Sequence, residues 1–533
     1  MEDCRLNGQH EEYVLSMEHI TKIYSNGFIA NNDITFQVRR GEIHGLVGEN
    51  GAGKTTLMKI LFGQEPHESG CIKLDGQEVK IRNPLDALGH GIGMVHQHFM
   101  LVPSLTVAEN MVLGYEPRKG ISFDGKKAIL LTKEISEKYH LPIKPQARVM
   151  DLSVGYKQRV EILKMLLRGA KVLLLDEPTA VLTPQETEEL FVQLKNLKDL
   201  GYTIVFISHK LNEVKDICDC ITVLRRGEVV GTANVGDVSE TDIARMMVGR
   251  DVFLHIEKEH ARPGAVVLSV RNVSHVDKFG AKILDDVSFD VRSGEILGVA
   301  GVEGNGQAEL SEIIGGLLEI QEGDIKIKGE SMPGKSIRSI RGKGVSLIHE
   351  DRMVYGVSSE QSISENIISE RYFQPEYQRS IFLNFGRVAK ETAELIQDFS
   401  VKCDGPDADV KTLSGGNIQK VVAAREYSSN PELLIASHPT RGIDVGATEM
   451  IRKKMIGLRD RCHTGVLLFS ADLNELLTVS DSMIVMYNGQ IVAYFPKVRE
   501  IDEHILGEYM LGLNRQSPEE IGGVVFASGN VEH

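Results

Sequence analysis

Eight residues near the start of the chain have the types and spacing that bind phosphate. They read GENGAGKT, and they follow an apolar segment and precede a helical pattern. Glycines in this arrangement let backbone N–H groups close around phosphate oxygens, and the N-terminus of the following helix adds a favourable dipole. Lys54 is expected to reach the β- and γ-phosphates of a nucleotide, and Thr55 to ligate Mg²⁺. The predicted nucleotide-binding residues here are Gly48, Glu49, Asn50, Gly51, Ala52, Gly53, Lys54, Thr55 and Thr56.

A second segment supplies acidic groups for the same chemistry. Asp176 ends the apolar run of VLLLDEPT, and Glu177 follows it directly. An Asp-Glu pair alone is typical of a solvated strand end. Because this pair follows a phosphate loop at a domain-sized distance, we predict that Asp176 holds the metal and that Glu177 polarises the attacking water. The two segments together indicate hydrolysis of a nucleoside triphosphate.

The chain contains this design twice. Gly48 and Gly301 are 253 positions apart, as are Gln97 and Glu350. LSVGYKQR in the first copy corresponds to LSGGNIQK in the second, and LLLDEPT to LIASHPT. Self-similarity of this kind indicates two homologous domains. We predict an N-terminal tail over residues 1–12, a first domain over 13–249, a linker over 250–264, a second domain over 265–514 and a C-terminal tail over 515–533.

The second copy lacks the residues that would make its phosphate loop work. Each replacement is given with its first-copy counterpart in parentheses: Gln307 (Lys54), Ala308 (Thr55), Ser437 (Asp176), His438 (Glu177), Ala471 (His209) and Asp277 (Tyr24). A hydrogen bond from a charged group to phosphate is worth roughly 1.5–3 kcal/mol, and a general base contributes about 10²–10⁴ in rate. We therefore predict one working site per chain.

Composition restricts the class of protein. Hydrophobic residues make up 42% of the chain and charged residues 25%, as in ordinary globular proteins. The net charge of −15 argues against nucleic acid as the main partner and against direct adsorption to anionic lipid. We expect a cytosolic protein without a secretory signal, since the N-terminus is polar and acidic and no apolar run approaches ~18 residues.

Two further groups of residues could bind a metal or be structural. Cys218 and Cys220 form the only close cysteine pair, and the alternative is an alternating strand edge. His96 and His98 flank Gln97, and the recurrence of His349 at the position of His96 favours a shared structural role.

Alternating β-rich and helical patterns predict the fold class. It is α/β, with parallel strands joined by helical crossovers in each domain. Residues from about 100 to 165 have mainly helical patterns, which indicates an inserted helical subdomain.

These motifs, with LSVGYKQR and ISHK, resemble those of the ATP-binding cassette (ABC) ATPases, and the resemblance covers nearly the whole chain. It implies two tandem P-loop ABC ATPase domains, each a RecA-like core with an inserted helical subdomain, and the cofactors ATP and Mg²⁺. It also implies that Gln97 senses the metal and the water, that His209 contacts the γ-phosphate and that Tyr24 stacks on adenine.

The resemblance further implies that two such domains pair head to tail. Each ATP then lies between the phosphate loop of one domain and the signature motif of the other. The working site would join Lys54, Thr55, Asp176, Glu177 and His209 to signature residues of the second domain, which are Ser414, Gly415, Gly416 and Asn417, with Asp444 beside them. The second site would face a first-domain signature altered by Val154, with Thr183 in place of the usual aspartate.

An intact first domain fused to a second with GNGQAEL, EDR, LSGGNIQK and PTRGIDVGA resembles the ATPase subunits of bacterial importers for monosaccharides and nucleosides. The implied partners are two transmembrane permease subunits and an extracytoplasmic solute-binding lipoprotein, with the chain peripheral on the cytoplasmic face of the membrane. One alternative is a soluble tandem cassette that acts on ribosomes or nucleic acid. Another is a regulatory binding module without turnover, against which Glu177 argues.

Overall fold

The computed structural model describes residues 13–525 except 26, 50, 97–98, 121, 180–181, 209, 250–257, 303, 381 and 499–500. The chain divides into two compact units near residue 252. Within the described ranges, no helix is both long enough and apolar enough to cross a membrane. The predicted α/β fold class, with parallel strands joined by helical crossovers, is confirmed in each unit.

The first unit contains strands β1 to β12 and helices α1 to α8. The strands are β1 Tyr13–Ile23, β2 Ile29–Arg39, β3 Ile43–Gly48, β4 Ser69–Leu74, β5 Gln77–Val79, β6 Ile92–Val95, β7 Arg118–Lys119, β8 Ser122–Phe123, β9 Val172–Asp176, β10 Thr203–Ile207, β11 Cys220–Arg225 and β12 Glu228–Asn234. The helices are α1 Lys54–Leu61, α2 Pro84–Gly89, α3 Val107–Val112, α4 Gly125–Lys138, α5 Val154–Leu167, α6 Pro184–Asp199, α7 Leu211–Ile217 and α8 Glu240–Val248.

A six-stranded sheet positions the phosphate loop in the first unit. Its order is β12-β11-β3-β10-β9-β6, and every pair except β11 with β12 is parallel. The segments of β3, β9 and β10 are buried along their whole length, which explains why they are continuous apolar runs. Since parallel strands end at one edge, the loop after β3 and the carboxylates after β9 lie at that edge.

The second unit contains strands β13 to β24 and helices α9 to α17. The strands are β13 Val266–Val276, β14 Lys282–Arg292, β15 Ile296–Ala300, β16 Glu322–Ile327, β17 Glu330–Ser331, β18 Val345–Ile348, β19 Gln378–Arg379, β20 Phe382–Leu383, β21 Leu433–Ser437, β22 Gly465–Phe469, β23 Ser482–Tyr487 and β24 Gln490–Phe495. The helices are α9 Gln307–Gly315, α10 Ile337–Arg341, α11 Ile363–Ile368, α12 Phe385–Asp398, α13 Gly415–Ser428, α14 Val445–Cys462, α15 Leu473–Val479, α16 Glu503–Met510 and α17 Pro518–Gly522.

The second unit repeats the sheet topology of the first. Its six-stranded sheet has the order β18-β21-β22-β15-β23-β24, and only β23 and β24 pair antiparallel. In this second sheet, the loop after β15 and the turn after β21 therefore lie at the edge where the carboxyl ends of the strands meet, as their counterparts do in the first sheet. The duplication seen in the sequence is a duplication of architecture.

The segment between about residues 100 and 165 is mainly helical, as predicted. It contains α3, α4 and most of α5, together with the short hairpin of β7 and β8. The second unit has α11, α12 and α13 with the hairpin of β19 and β20 in the corresponding place.

Each unit also has a four-stranded antiparallel sheet that the sequence analysis did not predict. The orders are β2-β1-β4-β5 and β14-β13-β16-β17. Register shifts interrupt the pairing of β1 with β2 and of β13 with β14. Each shift breaks the regular alternation of buried and exposed residues, which weakens the sequence pattern of a half-buried strand.

The predicted tail from residue 515 differs from the structure, because the chain up to Val525 packs on the second unit. The Gln516 backbone N–H donates to Val492 O at 3.0 Å, and α17 comes directly after it. Val524 is only 1% exposed and belongs to the apolar core between the two sheets. The end of the predicted linker packs on the same unit, where Lys258 Nζ donates to Val479 O at 2.8 Å.

Candidate functional site

The phosphate loop of the first unit is closed by its own lysine. Lys54 begins α1 and is 6% exposed. Its Nζ donates to Gly48 O at 2.6 Å and to Glu49 O at 3.0 Å, so the ammonium lies inside the loop. Burial lowers the pKa of Lys54, and the nearby charges of Glu177 and Asp176 oppose that shift. The loop therefore presents a cation where the β- and γ-phosphates would bind.

Glycine is required where this loop touches its surroundings. Gly53 has a φ of 101° and precedes α1. A Cβ on Gly53 would lie 2.4 Å from Ala30 O, and one on Gly48 would lie 2.3 Å from Leu224 O. Neither backbone carbonyl can move without disturbing a strand, so a larger residue at either position would displace the loop.

Asp176 and Thr55 form an oxygen-rich pair beside the lysine. Asp176 is buried at the end of β9, whereas Thr55 is exposed in the first turn of α1. Burial and the neighbouring charge of Glu177 raise the pKa of Asp176 to about 6, and a hydrogen bond from Thr55 opposes the rise. A carboxylate and a hydroxyl suit Mg²⁺, which takes few protein ligands and completes its shell with phosphate oxygens and water. A cation here would also relieve the two adjacent carboxylates.

Glu177 begins the turn after β9. Its backbone has a φ of 48°, and its N–H donates to Ile207 O at 3.0 Å, which ties the turn to β10. A residue other than glycine in this left-handed region carries strain that is often found at functional sites. Asn50, Gln97 and His209, which were also predicted for this site, lie outside the described residues, and their roles stay predictions.

Tyr24 lies where an adenine-stacking residue could contact the nucleotide. It is half-buried in the turn after β1, and its hydroxyl is 3.4 Å from Thr56 Oγ1 on α1. Lys22 Nζ is 5.3 Å from the centre of its ring. The structure brings Tyr24 to the phosphate loop, while stacking on a base stays a prediction.

The loop of the second unit has the same backbone form with a neutral side chain inside it. Gln307 begins α9, and its Nε2 donates to Val302 O at 3.3 Å. A Cβ on Gly301 would lie 2.2 Å from the same Nε2, so the amide fills the space that Lys54 fills in the first unit. The loop is preserved, but it presents an amide to an incoming phosphate and no cation.

The turn after β21 has no carboxylate. Ser437 is 2% exposed, and its Oγ has no hydrogen-bond partner. His438 keeps the left-handed φ, at 49°, but its Nδ1 accepts from the Ala471 N–H at 3.2 Å. Burial lowers the pKa of His438. The neutral ring therefore carries its proton on Nε2 and has no lone pair for the proton of an attacking water. Neither residue supplies the carboxylate that the first unit has at this position.

The two signature turns start equivalent helices. Ser153 precedes α5 and Ser414 precedes α13; both helices have 14 residues, and both serines are exposed. In the second unit, Asn417 Nδ2 donates to Ser414 Oγ at 2.9 Å. Asp444 caps α14 by accepting from the Ala447 N–H at 2.7 Å. The predicted signature residues of the second unit thus lie together at one turn.

Glu186, which was not predicted from the sequence, distinguishes the two signature turns. In the first unit, Glu186 Oε1 accepts from the backbone N–H of Gly155 at 3.3 Å. This carboxylate occupies a donor of the first signature turn and adds negative charge to it. In the sequence, Glu186 aligns with Ala447, so the second unit has no acid at that position. This difference between the copies could have identified Glu186.

The alternative metal residues have structural contacts. Cys218 and Cys220 are buried beside and within β11, and burial raises the pKa of both thiols. His96 packs edge-on against Phe62, with ring centres 6.0 Å apart. Across the described part of the chain, no cluster of three or more His, Cys, Asp or Glu side chains could hold a metal ion by itself. His98 lies outside the described residues.

The loop, the acidic turn and the duplicated sheet define a nucleotide-hydrolysing cassette, and its fold is present twice in the chain. The family model described as ABC transporter matches residues 31–180 and 284–441. The chain belongs to the ABC transporter family, and it is a tandem cassette ATPase of that family.

Curated relatives match along nearly the whole chain. A glucose import ATP-binding protein, TsgD13 of Haloferax volcanii, is 43% identical over 94% of this chain and 96% of its own length. The guanosine import ATP-binding protein NupO of Bacillus subtilis is 43% identical over 96% of this chain and 100% of its own.

A nucleoside import ATP-binding protein, NupA of Lactococcus lactis, is 44% identical over 90% of this chain and 94% of its own. Among solved structures, the archaeal ribosome recycling factor aABCE1, in complex with the stalk protein aP1, matches with a TM-score of 0.60. That match covers 94% of each chain at 18% identity, and it shows the fold alone.

Proposed function

We propose that the chain is the ATP-hydrolysing subunit of an importer for a simple sugar or a nucleoside. The observation that carries this is the phosphate loop with Lys54 and Thr55 beside Asp176 and Glu177 on the first unit, in a chain 43–44% identical to ATP-binding proteins of glucose, guanosine and nucleoside importers. ATP binding would close the two units on each other, and hydrolysis with product release would reopen them.

One ATP site per chain would do this work. Lys54, Thr55, Asp176 and Glu177 of the first unit would bind Mg²⁺-ATP, with Gln97 and His209 completing the set. The second unit would contribute Ser414, Gly415, Gly416 and Asn417, whose helix N-terminus favours the γ-phosphate. The exposed Ser414 supports this assignment, because its turn is accessible to a nucleotide held by another surface.

The phosphate loop of the second unit would be retained for its structural role and would not hydrolyse ATP. The amide of Gln307 replaces a charge, and the ring of His438 replaces a base whose loss costs about 10²–10⁴ in rate. Simple decay of a duplicate gives no reason for retaining LSGGN and RGID, the segments that would serve the other unit. Their retention supports a shared first site.

The partners would be two transmembrane permease subunits, with an extracytoplasmic binding protein delivering the solute. The chain would lie on the cytoplasmic face of the membrane and contact it through the permeases near Gln97 and Glu350. Apolar side chains support the second position, since Met353, Val354 and Tyr355 are 48%, 67% and 53% exposed directly after Glu350. Exposed apolar residues in a cluster are typical of protein–protein contacts.

Matched changes in the two signature turns test this function. Ser414→Arg should abolish ATP hydrolysis and uptake, because a guanidinium would fill the place of the γ-phosphate contact. Ser153→Arg should cause a much smaller loss, because its turn would face the inactive loop. The measurements are phosphate release by the purified chain and uptake of labelled nucleosides, ribose, glucose or galactose by cells that carry each variant as the sole copy.

The matched pair controls for damage to the helices. Both serines precede 14-residue helices, and neither side chain makes a capping hydrogen bond, so the two changes should affect helix stability to a similar extent. Hydrolysis that survives Ser414→Arg would rule out the shared site. Uptake of every labelled solute by cells that lack the chain would rule out the importer role.

A further inference from the structure

Arg352 lies between three functional segments of the second unit. It begins a single π-helical turn, Arg352–Gly356, two residues after Glu350. Its Nη1 donates to Arg441 O at 2.8 Å. The side chain of Arg441 returns to Glu350, with Nη1 2.5 Å from Oε1. Two contacts therefore link Arg352 to Arg441 and Arg441 to Glu350, and we call these three residues the Arg352 network.

The guanidinium of Arg352 also lies against two glycines. A Cβ on Gly415 would be 2.7 Å from Arg352 Nη2, and a Cβ on Gly442 would be 3.2 Å from the same atom. Gly415 belongs to the signature motif, and Gly442 precedes the helix cap Asp444 by two residues. Because both backbones pack on one planar group, a shift of Arg352 must disturb both turns.

Neighbouring contacts hold this part of the chain in place. Asp351 Oδ1 accepts from the Met353 N–H at 2.9 Å, and the Asp351 N–H donates to His349 Nδ1 at 2.9 Å. His349 Nε2 in turn lies 3.1 Å from Glu312 Oε1 on α9. The Arg352 network is thus built on an ordered segment that connects the permease-facing turn to the body of the unit.

The first unit cannot form this network. The sequence equivalents of Glu350, Arg352 and Arg441 are Gln97, Phe99 and Ala180. Its signature turn contacts a carboxylate instead, through the bond from the Gly155 N–H to Glu186. A guanidinium lies at the signature of one unit and a carboxylate at that of the other. The charge difference matches the proposed assignment of the γ-phosphate to the second signature.

We infer that Arg352 is a positioning residue for ATP hydrolysis. It fixes the backbone of Gly415 and Gly442 for the nucleotide held by the first unit, and it links that geometry through Arg441 to Glu350, where a permease would contact the chain. This inference rests on the proposed function, because it requires the second signature to complete the first site. Arg352 acts through the backbone of the turn and needs no direct contact with ATP.

Steady-state kinetics of the purified full chain test the inference. Arg352→Gln should lower kcat by about 10-fold, since a charge-assisted hydrogen bond is lost, and should leave the Kd for ATP within about twofold. The Kd is measured with Mg²⁺-ATP in the Glu177→Gln background. Arg352→Lys should recover part of kcat, because an ammonium keeps the charge without the planar fork. Arg461→Gln, at an exposed arginine in the last turn of α14, should leave both values unchanged.

Thermal unfolding separates a positioning role from a general loss of structure. The unfolding temperature of Arg352→Gln should stay within a few degrees of the parent value. If it falls below the assay temperature, Glu350→Gln becomes the deciding variant, because it removes the carboxylate that pairs with Arg441 without altering Arg352. A lowered kcat with normal Kd in Glu350→Gln would support the inference, and a normal kcat would overturn it.

The test also distinguishes this inference from the proposed function. A fully active Arg352→Gln beside an inactive Ser414→Arg would overturn the role of Arg352 and leave the shared site in place. Hydrolysis that persists in Ser414→Arg would remove the shared site, and the inference would fall with it.

Discussion

Glu177 and His438 have nearly the same backbone conformation, with φ values of 48° and 49°. Each backbone N–H donates to the last residue of the neighbouring strand, Ile207 or Phe469. The turn is therefore kept in both units while its side chain differs. In the first unit it presents a carboxylate beside Lys54, and in the second a neutral ring engaged by the Ala471 N–H.

This difference predicts unequal effects from one substitution. Glu177→Gln should lower the rate of ATP hydrolysis by at least 10²-fold, because the amide cannot accept the proton of the attacking water. His438→Gln should reduce the rate by well under 10-fold. Phosphate release at saturating Mg²⁺-ATP measures both variants, and equal losses would contradict a single working site.

The two central sheets are alike in strand order and differ in the residues at the carboxyl ends of their strands. β15 leads to Gln307 and Ala308, and β21 leads to Ser437 and His438. Restoring the phosphate loop after β15 therefore still leaves the end of β21 without a carboxylate. An active site of this kind needs several elements to carry the right residue at the same sheet edge.

A loop-restoring variant tests this requirement. Gln307→Lys combined with Ala308→Thr should not produce ATP hydrolysis in the Glu177→Gln background, because the end of β21 still supplies no carboxylate. The purified variant should bind nucleotide without releasing phosphate. Measurable turnover above the Glu177→Gln control would show that a phosphate loop is sufficient.

Continuous apolar runs made the parallel strands predictable, and strand order then places the loop and the acidic turn at one edge. The antiparallel sheets were missed because bulges interrupt the alternation in β1 and β13. From the sequence, Arg352 was noted only as part of the EDR motif, and no role was predicted for it. Its contact with Gly415 joins residues more than 60 positions apart, and no local pattern encodes such a pair.

On the scale of the whole molecule, the second unit includes a segment placed outside it by the sequence analysis. Gln516 Oε1 accepts from the Tyr494 N–H at 2.6 Å, and the Asp290 N–H donates to Val524 O at 3.1 Å. Val524 thereby fills the core between β14 and β24. Full burial of such a side chain stabilises by about 1.5–3 kcal/mol.

Val524→Asp should consequently destabilise the second unit. The lost apolar burial and the buried carboxylate together should lower its unfolding temperature by roughly 5–10 °C. Differential scanning calorimetry of the full chain measures the transition. Leu513→Asp is the control, since Leu513 is 72% exposed and its change should shift the transition by no more than about 1 °C. Equal shifts in the two variants would mean that the segment adds nothing to the core.

The position of Val524 also affects when each half of the protein can mature during synthesis. Nothing in the described core of the first unit comes from beyond Val248, so that half can condense while the ribosome is still translating the other. The core of the second half lacks the side chain of Val524 until that residue has left the ribosomal exit tunnel. Its final compaction therefore follows that of the first half, and until then the nascent polypeptide carries one folded cassette and one that is incompletely packed.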